Sequence, residues 1–368
     1  MTTPLIRDLT RYLDAWAPPA YQESYDNAGL IVGDPNVPVT GVLVSLDATE
    51  AIVDEAIAKG CNLIVAHHPI VFKGLKKLNG KNYVERTVIK ALKQDVAIFA
   101  AHTNLDSVAG GVNYQIASRL GLQHVQILAP KMQTLSKLVV YVPEADLPGV
   151  LAALYEAGAG TIANYDHCSF RVGGIGTFRP LDGAQPVVGE IASDETVREL
   201  RLEVILPTYL EGFVVQAMQR AHSYEVPAYD LYALNNTNQT VGAGAVGNLP
   251  EPLDETAWLT YLKKQMNATV IRHTALRNKP VQRIAICGGA GSFLLPDAIR
   301  AGADVFVTAD YKYHEFFDAD GRTIICDIGH YESEVFTKDL IAQHLSQKFT
   351  TFAVILAGTD TNPVRYYF

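Results

Sequence analysis

The sequence predicts an α/β fold in which a discontinuous, mainly parallel-sheet domain is interrupted by an inserted ferredoxin-like α+β domain. Near the start of the chain, apolar runs of strand length alternate with segments of helical periodicity, and this alternation returns near the end. Between these flanks lie two β-α-β-like passages. We therefore expect residues 1–130 and 236–368 to form one domain and residues 131–235 to form the insert.

The first flank alternates strands and helices. We predict strands over 39–49, 61–66 and 97–106, with helices over 50–60 and 82–96 between them. Helices that connect successive strands in this way favour a mainly parallel sheet covered by helices. In open sheets of this kind, ligands bind beyond the carboxyl ends of the strands.

The second flank repeats this plan, and the insert differs from it. In the second flank, strands followed by turns or helices are predicted within 281–292, 303–315 and 323–336, and a last strand within 351–358. In the insert, 136–160 is typical of a strand, a turn and a helix, and 197–234 of a strand, a helix and another strand. This order suggests a split ferredoxin-like unit.

Composition limits the classes of function. The 368 residues are 48% hydrophobic and 19% charged, which is ordinary for a globular protein with a sizeable core. A net charge of −9 disfavours general attraction to nucleic acid or to an anionic membrane. The start of the chain does not resemble a signal peptide, and no apolar run approaches the roughly 18 residues that span a membrane. The four cysteines are scattered without a C-x-x-C pair, which we interpret as the reduced thiols of a cytoplasmic protein.

Two adjacent histidines follow the second predicted strand, in "IVAHHPIVF". On an extended backbone His67 and His68 would point to opposite sides, so they share a site only if the chain turns after Ala66. Pro69 makes a turn plausible because it cannot simply continue the strand. The alternative is a pair of structural or exposed histidines.

Two further segments place imidazole and carboxylate groups after strands. His102 and Asp106 follow the third strand in "AAHTNLDSVAGGVN", where Asp106 could instead cap a helix that begins near Val112. In "DIGHYESEVF", His330 and Glu334 are four residues apart. On a helix they would share one face and form half of a divalent-metal site, the alternative being a surface His–Glu contact.

These three strand ends should meet at one edge of one sheet. They would bring together at least three imidazoles and two carboxylates, more than one four-coordinate ion needs. Because carboxylates can bridge, we predict two divalent ions roughly 3.5–4 Å apart. We expect zinc, with iron, manganese, cobalt and nickel as alternatives that accept the same nitrogen and oxygen ligands.

Both flanks resemble the Nif-three-like dinuclear-metal-centre family, many of whose members are named GTP cyclohydrolase 1 type 2 or its homologues. The segments that carry the resemblance are "YDNAGLIVGDP", "VLVSLDAT", "AHHPIVF", "AAHTNLDSVAGGVN", "GGAGS", "TADYKYHE" and "DIGHYESE". The insert, including "HSYEVPAYDLY", resembles the PII-like or CutA-like insert of longer bacterial members. Tyr25 departs from the first segment, where a tryptophan is common, and this places none of the ligands in doubt.

The resemblance implies metal ligands at His67, His68, Asp106, His330 and Glu334. It also implies a toroidal homo-hexamer whose metal sites face an internal cavity. The implied activity acts on a small molecule, GTP: water attacks the guanine imidazole carbon and formate leaves. The alternative function is a non-catalytic metal-binding hexamer, regulatory or scaffolding, whose insert senses a small ligand or docks a protein.

Within such a site, we predict that Asp106 and Glu334 bridge the ions, because a carboxylate has two oxygens. His102 and His314 are further imidazoles near the same edge that could move a proton, although His314 could equally be structural. The segment "CGGAGS" (287–292) either offers backbone N–H groups to a phosphate or lets a strand and a helix cross closely.

Overall fold

The computed structural model describes residues 3–367. The chain divides into two compact units. One unit runs up to Ala129 and resumes at Val241, and the other is Pro130–Thr240.

Helices and strands alternate along much of the chain. The helices are α1 (Ile6–Trp16), α2 (Glu50–Ala58), α3 (Tyr83–Lys93), α4 (Thr103–Asp106), α5 (Val112–Arg119), α6 (Leu147–Glu156), α7 (Glu211–Ala221), α8 (Glu255–Gln265), α9 (Leu295–Arg300), α10 (His330–Glu334) and α11 (Thr337–Lys348). The strands are β1 (Gly29–Val32), β2 (Gly41–Ser45), β3 (Leu63–Ala66), β4 (Ala97–Ala100), β5 (Gln123–Pro130), β6 (Leu135–Val142), β7 (Phe170–Phe178), β8 (Glu195–Pro207), β9 (Tyr229–Ala233), β10 (Gly242–Leu253), β11 (Arg272–His273), β12 (Val281–Ala290), β13 (Val305–Ala309), β14 (Ile324–Asp327) and β15 (Ala353–Leu356).

The discontinuous unit contains two sheets. One has the strand order β1-β4-β3-β2-β15, and the other has the order β11-β14-β13-β12-β10-β5. The strands β15, β2, β3 and β4 pair in parallel, as do β12, β13 and β14, which confirms the mainly parallel prediction. The expectation that all three ligand-bearing strand ends belong to one sheet is wrong, because β3 and β4 lie in the first sheet and β14 in the second. Local periodicity identifies strands but does not specify their partners.

The two sheets share a hydrophobic core. In β2, Val42 and Val44 belong to this core, whereas Leu43 belongs to the cluster on the other face of its sheet. From the second sheet, Ile284 and Val305 join the same shared core. Helices α1, α5, α8 and α11 also contribute buried side chains to it. This common core holds the carboxyl ends of both sets of parallel strands in one unit.

Local signals set the helix boundaries in this unit. The side chain of Thr49 accepts a hydrogen bond from the Ile52 N–H and so caps α2. Gly60 follows α2 with a φ of +69°, the left-handed conformation in which glycine commonly ends a helix. Asn82 caps α3 by accepting from the Glu85 N–H. The predicted strand–helix alternation therefore has a local chemical basis.

The unit Pro130–Thr240 has a ferredoxin-like fold, as predicted. Its elements follow the order β6-α6-β7-β8-α7-β9. The sheet order is β7-β8-β6-β9, and each neighbouring pair is antiparallel. Alternate residues of β6 and β8, such as Leu138 and Leu202, pack with Val150 of α6 and Val214 of α7. Strand β7 was not predicted from the sequence.

Within residues 3–367, no helix combines the length and the apolar composition needed to cross a membrane.

Asp14 on α1 should make folding stability depend on pH. Its Oδ1 is buried and has no hydrogen-bond partner within residues 3–367, and burial raises the pKa of the carboxyl group from 3.8 to about 6. The folded state therefore favours the protonated form, so stability falls as the pH rises from about 4 to 6 and then levels off. Asp14→Asn should remove this loss, which we expect to be about 2 kcal/mol because solvent reaches part of the side chain.

Chemical denaturation of the Asp14→Asn variant and the wild type at several pH values measures this difference. Asp182→Asn, at an exposed position, serves as the control. A stability difference between Asp14→Asn and the wild type that does not change between pH 4 and pH 7 would contradict the prediction.

Candidate metal centre

The backbone turns directly after β3, so the two adjacent histidines face one site. The N–H groups of His67 and His68 both donate to the carbonyl of Leu46, at 3.0 and 2.9 Å. Consecutive N–H groups of an extended strand point in opposite directions and could not do this. The two ring centroids lie 5.0 Å apart, and His67 is fully buried.

In the part of the chain that the structure describes, side chains from the two halves of the discontinuous unit form three overlapping groups that could hold a metal ion. One consists of His67, His68 and His102, and the other two contain Glu334. In one of these two groups, His68 Nε2 and His330 Nε2 lie 2.9 and 3.0 Å from Glu334 Oε2. In the other, His67 Nε2 lies 3.7 Å from Asp106 Oδ1 and 3.8 Å from Glu334 Oε1. Glu334 thus belongs to both groups and presents a different oxygen to each.

The spacing of these atoms suits the ligands of a metal ion. Ligand atoms about 2.0–2.2 Å from a tetrahedral ion lie about 3.3–3.6 Å from one another. His67 Nε2 and Asp106 Oδ1 are buried and have no hydrogen-bond partner among the described residues. Buried polar atoms are normally paired, so two unpaired ligand atoms that face each other indicate a cation between them. The residues present therefore fit a divalent metal ion.

The other ring nitrogen of each histidine is held by an oxygen atom. His67 Nδ1 lies 2.7 Å from the carbonyl oxygen of Ala101. The remaining Nδ1–carboxylate pairs, each 2.7 Å long, are His68 with Asp47, His102 with Asp26, and His330 with Asp310. Because an oxygen acceptor places the proton on Nδ1, these bonds direct the Nε2 lone pair toward the cluster, as in metal-binding histidines.

Sequence patterns alone gave no role to Asp26, Asp47 and Asp310. Each occurs in one of the segments that carry the family resemblance. Asp47 comes shortly after β2, and Asp310 comes directly after β13. Asp47 and Asp310 each follow a strand that pairs with a strand whose end carries a proposed ligand. This position was the signal in the sequence that could have identified them.

Burial and hydrogen bonding act in opposite directions on the histidines of the cluster. Burial alone would lower the pKa of His68, but hydrogen bonds to Asp47 and Glu334 outweigh it and raise the pKa to about 10. For His330 burial is outweighed in the same way, chiefly by Glu334, and the pKa rises to about 9. Burial raises the pKa of Asp106, and the negative charge of Glu334 raises it further. The cluster thus favours positive charge, which a divalent cation supplies as it displaces protons from imidazoles.

The structure brings His102 to the cluster but not His314. The His102 ring lies 5.3 Å from the His67 ring and 5.5 Å from the His68 ring, centroid to centroid. His314 lies on the 3-10 helix Tyr313–Ala319, where it is exposed and contacts neighbouring aromatic rings. It is absent from the described residues that line the cavity over the cluster. Its position therefore does not support the predicted role in proton transfer.

Asp106 is not the cap of the helix that follows it. It ends the short helix α4, and the residue that precedes α5 as its N-cap is Gly111. The helix-capping alternative is therefore wrong, and Asp106 Oδ1 faces His67.

The adjacent glycines Gly288 and Gly289 of the glycine-rich segment serve close packing. The N–H groups of Gly288 and Gly289 donate to the side chains of Asn113 and Ser333, at 2.9 and 3.0 Å, so they are already occupied. A Cβ atom on Gly289 would lie 2.5 Å from Glu334 Oε1. The missing side chain therefore leaves room for the carboxylate shared by the two groups that contain Glu334.

A cavity of about 1010 Å³ opens onto the cluster. Its lining includes His68, His102 and Glu334, together with aromatic rings that are well exposed. The exposed fractions of these rings are 69% for Tyr25, 51% for Phe72 and 65% for Phe293. This volume lies at the upper end of the range of about 300–1,000 Å³ that is typical of small-molecule sites.

Gly289→Ala should weaken metal binding far more than Gly302→Ala. The φ angles are +61° and +71°, so alanine strains the backbone at both positions. Nothing lies within 4 Å of a Cβ atom at Gly302, whereas at Gly289 the new atom would displace Glu334. We expect zinc affinity to fall about tenfold or more in Gly289→Ala only, as measured by competition with a chromophoric chelator. Equal losses in the two variants would contradict this account.

Comparison with known proteins agrees with the fold. The family model described as Duf34/NIF3 (NGG1p interacting factor 3) matches residues 4–363. A Bacillus subtilis protein named "GTP cyclohydrolase 1 type 2 homolog" is 38% identical over 367 residues, with 98% of each chain covered. The crystal structure of a Bacillus cereus protein related to NIF3 superposes with a TM-score of 0.87 at 35% sequence identity. The crystal structure of Staphylococcus aureus protein SA1388 superposes with a TM-score of 0.79 at 30% sequence identity. Each superposition covers 100% of this chain and 100% of the compared chain. The chain therefore belongs to the DUF34/NIF3 family.

Proposed function

We propose that this protein is a divalent-metal-dependent hydrolase that acts on a nucleotide or a related small molecule through two metal ions. The observation that carries the proposal is the shared position of Glu334. Its Oε2 faces His68 and His330, and its Oε1 faces His67 and Asp106. A carboxylate shared between two sets of ligands suits the paired ions of a two-metal hydrolytic site.

These five residues are the proposed ligands. Imidazole nitrogens and carboxylate oxygens suit zinc, and they also suit iron, manganese, cobalt and nickel. The first set is His67, Asp106 and Glu334 Oε1, and the second is His68, His330 and Glu334 Oε2. Asp106 Oδ1 lies 3.7 Å from His67 Nε2, whereas the two oxygens of Glu334 lie near different histidines. We therefore propose Glu334 as the main bridge.

The chain's own residues would prepare the reaction. When bound, the ions would supply a water molecule of lowered pKa as the nucleophile and would offset developing negative charge. His102 is the residue best placed to hold or move a proton. Its Nδ1 is bound to Asp26, so Nε2 is the atom that would exchange a proton with the substrate.

GTP is the substrate that we propose to test first. The Bacillus subtilis relative carries GTP cyclohydrolase in its name, although as a homologue only. The exposed rings of Tyr25, Phe72 and Phe293 line the cavity and offer faces on which a planar base can stack. In the proposed reaction, a first water molecule adds to the imidazole carbon of guanine and one C–N bond breaks, which opens the ring and leaves a formamide. A second water molecule then hydrolyses the formamide, so that the carbon leaves as formate and an amine remains on the ring-opened product.

We also propose that Pro130–Thr240 is an inserted PII-like or CutA-like domain and that the chain forms a toroidal homo-hexamer in the cytoplasm. The ferredoxin-like topology supports the first part, and the family resemblance supports the hexamer. All four cysteines are free, which suits a reducing compartment.

Native mass spectrometry should give a mass six times that of the chain, and a monomer at all concentrations would contradict the hexamer.

The metal-loaded protein should release formate from GTP, and His67→Ala should abolish that release. His67 is fully buried and its Nε2 has no hydrogen-bond partner among the described residues, so its replacement removes a proposed ligand. Formate is measured with formate dehydrogenase after loading with zinc, manganese or cobalt. His314→Ala is the matched control and should keep wild-type turnover, because its ring lies outside the cavity lining.

The outcomes separate the two functions under consideration. Formate release that is lost in His67→Ala and kept in His314→Ala supports the hydrolase. Stable metal binding with no turnover of GTP or other nucleotides, under any of the three metals, would contradict the hydrolase and favour the regulatory or scaffold alternative.

A further inference from the structure

We propose that Thr361 is a positioning residue for the metal centre, because its hydroxyl group orients Asp47 and Asp47 in turn orients His68. The inference rests on the proposed metal-binding role of His68. It concerns a part of the chain that contains none of the proposed ligands.

A chain of two hydrogen bonds links Thr361 to the cluster. Thr361 Oγ1 donates to Asp47 Oδ2 at 2.5 Å, and His68 Nδ1 donates to Asp47 Oδ1 at 2.7 Å. Each carboxylate oxygen of Asp47 therefore has its own partner. The opposite ring nitrogen, His68 Nε2, lies 2.9 Å from Glu334 Oε2.

The parallel pairing of β2 and β15 places these residues side by side. Leu356, the last residue of β15, pairs with Val44 of β2, and the N–H of Ala357 then donates to the Val44 carbonyl. The segment after β15 therefore leaves the sheet at the same edge as the segment after β2, which contains Asp47.

A second carboxylate fixes the same segment just before Thr361. Glu55 accepts hydrogen bonds from the N–H groups of Gly358 and Thr359, at 2.7 and 2.9 Å. Thr361 thus approaches Asp47 from an anchored backbone. A hydroxyl group held in this way restricts rotation of the Asp47 carboxylate, and so keeps Oδ1 directed at His68.

A similar pair elsewhere in the site supports this role for a threonine hydroxyl. Asp26, which holds His102 Nδ1, accepts hydrogen bonds from both the N–H and the Oγ1 of Thr103. In both cases a threonine hydroxyl binds the carboxylate oxygen that the histidine does not use. Outer partners of this kind typically change metal affinity 10- to 100-fold when they are removed.

The test compares three variants of the full-length chain with the wild type by zinc titration against a chromophoric chelator. Thr361→Val removes the hydroxyl group at nearly constant shape, and Thr361→Ser keeps it. Thr359→Val removes a hydroxyl group that binds Glu55 rather than Asp47, and it keeps the two N–H groups that anchor the segment to Glu55. The visible absorption bands of the cobalt-loaded proteins report on ligand geometry independently of activity.

We expect Thr361→Val to weaken the binding of one zinc ion about 10- to 100-fold and to change the cobalt spectrum. Thr361→Ser and Thr359→Val should remain close to the wild type, and all variants should keep its thermal midpoint. Wild-type affinity in Thr361→Val, or equal losses in Thr361→Val and Thr359→Val, would overturn the inference while leaving the proposed metal centre intact. A wild-type protein that binds no divalent ion would overturn both.

Discussion

The buried carboxylate of Glu334 is the group on which the rest of the site depends. Only 4% of its side chain is exposed, and burial alone would raise its pKa. Hydrogen bonds from His330 and His68, with the His67 imidazole 3.8 Å away, outweigh that effect and hold the pKa of Glu334 well below its usual range. A buried charge is costly unless it is paired, so imidazoles and cations have to converge on it. The glycine at position 289 and the turn after β3 are the backbone features that allow this convergence.

Much of the architecture is accessible from local sequence patterns, because strands, helices and their caps are encoded over short stretches. The strand before His67 and the helical spacing of His330 and Glu334 are of this kind. Division into two sheets is different, because it depends on which strands pair, and pairing joins residues far apart in the chain. The role of Asp106 was ambiguous for a similar reason: a carboxylate ahead of a helix is a common cap, and only the observed N-cap at Gly111 resolves it.

The supporting residues of the site were the hardest to predict. Asp47 and Thr361 are hydrogen-bonded although 314 positions separate them in the sequence, and no local pattern connects them. His314 is the opposite case: it follows a strand that neighbours β14, but it lies on a 3-10 helix that leaves its ring exposed and away from the cluster. Proximity to a strand end therefore identifies candidates, whereas the direction of each side chain depends on the turn that follows.

The central claim is that Glu334 joins two metal ions, and anomalous diffraction from crystals of the metal-loaded protein tests it most directly. Data collected at the absorption edge of the bound metal should show two peaks per chain, roughly 3.5–4 Å apart, with one oxygen of Glu334 bound to each. A single peak, or two peaks of which only one contacts Glu334, would contradict the account.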